Sequence, residues 1–213
     1  MNRRAIAGTI AGILCAVITQ TASSALINGT VYLDDPTSTD ASIIPASTLP
    51  HANFTTSDIN FNTLAGPTSI ATFLNNPPFT NLANGFDPNH LTDNTFLILT
   101  GQTFLNAGAN SFVVGHDDGV VLTMGGGLGT VVNAPGPSAF TTTPFEVNAP
   151  TAGYYSFTLQ YAECCGSPAD LIFQVNGAPV TNVPEPVTVA MLAAGLAGLA
   201  LFGRRRRSTL DPR

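Results

Sequence analysis

Apolar residues recur in two ways along this chain. In the body they come in short runs or alternate with polar residues; near both ends they form unbroken uncharged blocks. No convincing 3.6-residue period appears before Val187, so the body predicts strands rather than helices. "YYSFTLQYAE" is the clearest case. Tyr155, Phe157, Leu159 and Tyr161 fall on one face and Tyr154, Ser156, Thr158 and Gln160 on the other, as in a strand with one face in a core. "ADLIFQVNG" puts Leu171, Phe173 and Val175 inward and turns at Asn176-Gly177. Strands are also expected in "ANFTTSDINF", in "NTFLILTGQTFL", in "TPFEV" and on both sides of the acidic turn of "NSFVVGHDDGVVLTM". "LINGTVYL" reads as a strand that pairs near the far end of the chain, and "DDPTSTDASIIPASTLP" as loop. One helical turn fits Ser69–Leu74, stopped by Pro77-Pro78. These elements predict an all-β fold, an antiparallel β-sandwich over residues 26–182.

The terminal blocks follow different rules. Asn2-Arg3-Arg4 is a short positive segment, Ala5–Ile18 is uncharged and apolar, and "TASSAL" supplies small residues before a cleavage point. That order predicts a signal peptide over residues 1–25, cut after Ala25. At the other end, Val187–Phe202 carries no charge over sixteen residues. As a helix it would be about 24 Å long, slightly short of a bilayer core, with Arg204 able to snorkel. The cluster Arg204, Arg205, Arg206 and Arg207 would hold that end on the cytoplasmic side, with residues 208–213 as a tail, leaving the body facing outward.

Charge sharpens the picture. All seven basic residues lie in these terminal segments, whereas Leu26–Val183 has eleven carboxylates and no lysine or arginine, a formal charge of −11. Such a body has no cations with which to displace counterions, which excludes nucleic acid as a partner. It also has no electrostatic attraction to an anionic membrane surface. Any clustered or buried carboxylate must be satisfied by backbone N–H groups, water, a proton or a metal ion.

Val183, Pro184, Glu185 and Pro186, followed by the apolar block and the arginines, resemble the PEP-CTERM sorting signal of Gram-negative bacteria. The resemblance implies a sorting signal over residues 183–207, with a transient transmembrane helix at 187–202. It further implies processing by an exosortase-type protease and delivery to the cell surface or extracellular matrix, as in biofilm. The prolines keep the motif extended, as a protease substrate requires.

Two further segments, "FVVGHDDGVVLTMGG" and "AGYYSFTLQYAECCGSPADLIFQV", resemble the protective-antigen-type β-sandwich domain of bacterial toxins, glycosidase inserts and flocculin-like adhesins. The match spans residues 95–177. In sugar-binding members of that family, paired aspartates hold calcium across a cis peptide bond. The resemblance therefore implies a calcium role for Asp117 and Asp118, with further ligands from the loop after Tyr161 or from near Asn176. A plainer reading stands beside it, in which Asp-Asp-Gly is a hairpin turn with the glycine at positive φ.

Cys164 and Cys165 are adjacent and, after export, in an oxidising setting. They admit a vicinal disulfide, two free thiols or intermolecular pairing; the disulfide, a rigid apolar knob beside a ligand loop, is the expected state. Glu163 reads as a loop residue, His116 as a sheet or surface residue, and "GGGLGT" as a turn lacking the lysine of a phosphate loop. No serine elbow, zinc motif or EF-hand spacing is present, so an enzyme is not expected. The expectation is a non-enzymatic, carbohydrate-binding surface protein, calcium-dependent if the aspartates are ligands. Its alternatives are a purely structural matrix protein and, last, a secreted hydrolase.

Overall fold

The computed structural model describes residues 26–62 and 66–181. Twelve strands and one helical turn form two antiparallel sheets. The larger runs β4 (Thr80–Ala83), β2 (His51–Thr56), β1 (Ile27–Tyr32), β5 (Thr95–Leu105), β10 (Gly153–Glu163), β7 (Gly119–Met124) and β8 (Gly129–Ala134). The smaller runs β12 (Ala178–Pro179), β11 (Asp170–Val175), β6 (Gly108–Asp117) and β9 (Thr141–Ala149), with β3 (Asn60–Asn62) also pairing β11. This is the expected all-β sandwich.

The alternation in β10 carries through. Tyr155, Phe157, Leu159 and Tyr161 are buried, and Tyr154 and Ser156 are exposed. They share one core cluster with Phe112, Leu171 and Phe173 of the other sheet; Phe157 meets Phe173 edge-on with ring centroids 5.4 Å apart. Such a pair contributes about 1 kcal/mol beyond its burial. The unbroken apolar run in β5 has a different cause. Leu97 and Leu99 face the sandwich core, while Phe96 and Ile98 pack outside it with Ala41, Val121, Ala162 and Tyr32. Ala41 belongs to the predicted loop, which is tied down by Ala41 N donating to Pro135 O at 2.9 Å. A strand covered on both faces needs no polar alternation.

Two local expectations change. β1 does not pair near the far end of the chain; it lies between β2 and β5. The far-end strand β10 instead takes the other side of β5, matching it over all eleven residues. Asp117-Asp118-Gly119 is not a hairpin. β6 is flanked by β11 and β9 in the small sheet and β7 by β10 and β8 in the large one, so the acidic segment carries the chain from one sheet to the other. Gly119 is not at positive φ. It is needed for space, because a Cβ there would lie 2.0 Å from the Pro135 carbonyl oxygen.

The helical turn, α1 (Ile70–Phe73), is where the pattern placed it. Ser69 caps it by accepting from Thr72 N at 3.3 Å, and Ile70 and Phe73 are buried. Phe73 stacks on Tyr161 with centroids 6.1 Å apart and closes this end of the sandwich beneath the acidic crossover. Among the described residues no helix is long and apolar enough to cross a membrane. The predicted signal peptide 1–25, the sorting residues Val183–Pro186, the helix 187–202 and the arginines 204–207 lie outside the described residues.

Candidate functional site

The crossover gathers most of the candidate chemistry. Asp117 ends β6, Asp118 follows, and the peptide bond between them is cis. Asp118 is anchored from two sides: Ser138 N donates to its Oδ1 at 3.0 Å and Cys164 N to its Oδ2 at 3.0 Å. His116, buried on the preceding position, faces the Asp118 carbonyl with Nδ1 at 2.5 Å. A carbonyl only accepts, so Nδ1 donates to it, and Nε2 lies 3.3 Å from Thr143 Oγ1. His116 is thus a sheet residue that positions the crossover.

Glu163, the last residue of β10, completes the cluster. It was expected in a loop, yet it is 0 % exposed. Continuing the Tyr155-to-Tyr161 alternation by one more step would have placed it inward. Asp117, Asp118 and Glu163 can each present an oxygen such that the three lie within 4.8 Å of one another. Glu163 Oε2 meets the Tyr161 hydroxyl at 2.7 Å, whereas Oε1 is buried without a hydrogen-bond partner. Tyr161 also donates to the Asp117 carbonyl. One phenolic proton cannot serve both acceptors, so with the proton on Asp117 O a protonated Glu163 supplies the second bond.

Electrostatics agree. Burial, and then the charges of Asp118, Asp117 and Asp93, push Glu163 up to about 9 against the single lowering contact from Tyr161. Burial and then the neighbouring Asp118 also raise Asp117. Tyr161 is held well above its ordinary value by burial first and Glu163 second. Among the described residues there is no lysine or arginine, so beyond the backbone N–H donors this crowding is relieved by water, a proton or a cation.

Beside the aspartates opens a cleft of about 420 Å³, lined by Asp117, Asp118, Pro137–Ala139 and Cys165–Pro168. The cysteines are joined to each other as a vicinal disulfide, and Ser167–Pro168 is cis. The loop after Tyr161 therefore does reach the aspartates. Asn176 does not: it lies at the opposite end of the sheet, where its Oδ1 accepts from Ser111 N at 3.0 Å and its Nδ2 donates to Asn110.

The fold has counterparts among solved structures. The chain is similar to the PA14 sugar-binding domain from an RTX adhesin, with 18% identity and a TM-score of 0.51 over 75% of this chain and 95% of that one. The described domain has the PA14 fold. A second PA14 domain, that of the MpAFP antifreeze protein, matches at 17% identity and TM-score 0.51, covering 76% and 89% of the two chains. The epithelial adhesin 6 A domain from Candida glabrata, in complex with Galβ1-3GlcNAc, matches at 14% and 0.50, covering 80% and 88%. Beyond the described domain in sequence, residues 182–207 match the PEP-CTERM protein-sorting motif, the one predicted from Pro184-Glu185-Pro186 and the arginines. No curated protein matches by sequence.

Proposed function

We propose that this is an exported surface or matrix protein whose PA14 domain binds carbohydrate through a calcium ion. The N-terminal segment directs export. An exosortase-type protease reads the sorting motif and removes the apolar helix and arginines, releasing the domain to the cell surface or matrix. There the partner is an extracellular polysaccharide. The sorting motif at 182–207 and the sugar-binding and sugar-bound PA14 neighbours support this reading.

One observation carries the calcium part: the buried Glu163 Oε1 has no partner and belongs to a three-carboxylate cluster. Calcium takes several oxygen ligands and favours carboxylates. Asp117, Asp118 and Glu163 would hold it; bound there, it would offer open coordination positions to sugar hydroxyls. A purely structural turn leaves the orphaned oxygen unexplained, since buried polar groups are ordinarily paired.

Thermal melting tests this. Calcium at a hundred times its dissociation constant should stabilise the protein by about 3 kcal/mol, which corresponds to roughly 6–12 °C. Asp117→Asn with Asp118→Asn removes both charges, keeps one acceptor oxygen at position 118 for Ser138 N or Cys164 N, and should abolish the shift. Identical melting of the wild type in EDTA and in millimolar calcium would show that no such site exists.

A further inference from the structure

The cleft is unusual in what it lacks. A sugar offers hydroxyls on its edges and an apolar C–H face, and binding sites commonly meet that face with an aromatic ring. The chain has no tryptophan, and among the described residues no aromatic side chain lines this cleft. Its non-polar surface comes from prolines, Ala139 and the cystine loop.

The disulfide occupies a particular place there. Cys164 is buried, with its N–H on Asp118 Oδ2 and its Sγ 3.2 Å from the same oxygen, while Cys165 is exposed and lines the cleft. One sulfur is therefore fixed against the acidic site and the other presented to a ligand. Closing the ring between adjacent residues removes the rotamer freedom of both side chains, so the surface is ordered before anything binds. Sulfur is polarisable and weakly hydrated, suited to contact with C–H groups.

We propose that the Cys164–Cys165 disulfide is the specificity wall of this cleft, packing against the C–H face of a neutral saccharide whose hydroxyls point to Asp117 and Asp118. This rests on the carbohydrate-binding reading above. Neutrality follows from the −11 charge of Leu26–Val183, whose field repels uronic or sulfated sugars. The wall stands beside the cation ligands without being one of them, so sugar affinity and calcium affinity are separable.

The purified full chain in mild detergent, with calcium, is applied to a panel of immobilised neutral and anionic mono- and disaccharides that includes Galβ1-3GlcNAc. Cys164→Ser with Cys165→Ser, and the corresponding double alanine variant, are compared with wild type for saccharide binding and for the calcium-induced melting shift. The expected result is selective retention of neutral sugars by wild type. Both variants should lose about tenfold in affinity, equivalent to about 1.4 kcal/mol, while keeping the calcium shift. Wild-type affinity in the variants overturns the wall, and so does loss of the calcium shift together with sugar binding, which would assign the disulfide to the cation site. Preference for anionic sugars overturns the neutral class. A wild type that shifts with calcium yet retains no saccharide overturns the carbohydrate reading itself, and the proposal with it.

Discussion

Removing the ionisable group of Glu163 should change how the calcium-free protein responds to pH. In the fold its carboxyl is pushed up to about 9, chiefly by burial, whereas in the unfolded chain it returns to the ordinary 4.5. Between those values the folded state holds one more proton than the unfolded state. Stability from this group is therefore complete below pH 4.5 and is lost as pH rises towards 9. Each pH unit inside the window costs about 1.4 kcal/mol, so raising pH from 5 to 7 costs about 3 kcal/mol. For a domain of this size that is a fall of roughly 6–12 °C in melting temperature. Glu163→Gln fills the same space and offers the Tyr161 hydroxyl an N–H donor in place of the protonated carboxyl, but does not titrate. The assay is thermal melting in EDTA at pH 5, 6 and 7 for wild type and Glu163→Gln. Wild type should lose stability across the series relative to the variant. Parallel profiles would refute the account, because they would mean that Glu163 is ionised in the fold or is not buried among the aspartates.

Gly119→Ala places a methyl 2.0 Å from the Pro135 carbonyl oxygen, which also accepts from Ala41 N. Both the crossover and the covering loop must shift, at about 2–3 kcal/mol, and thermal melting should fall by roughly 4–12 °C; an unchanged melting temperature would contradict the close approach. Intact-mass measurement of surface-exposed protein should show a chain without Arg204–Arg207, and their retention would rule out processing near Pro184–Pro186.

Much of the sandwich was legible because strand periodicity is local. Tyr155, Phe157, Leu159 and Tyr161 alternate with polar neighbours, and a period of two has one structural meaning when one face is buried. The Asn176-Gly177 turn was legible for the same reason: both residues sit at positive φ, which their side chains tolerate. The sorting motif is a contiguous string, and the sequence match over 182–207 found the same segment. Absence of lysine and arginine from Leu26–Val183 is likewise a plain fact of sequence, and it required that any carboxylate cluster be relieved by something other than an ion pair with those residues.

What sequence did not reveal is which strands share a sheet. Two apolar runs joined by Asp-Asp-Gly look like a hairpin, and only pairing with β10 and β11 separates them into opposite sheets. That separation makes the acidic segment a crossover, brings Asp118 onto Cys164 N, and sets Glu163 beside both aspartates although it lies forty-five positions after Asp118. Sequence by itself determined the strands of the sandwich, the sorting motif and the absence of cationic side chains from the body, since each is legible along the chain. The tertiary structure alone decided that three carboxylates and a disulfide share one end of the fold, because burial and the pKa it raises depend on groups that meet only when the sheets pack.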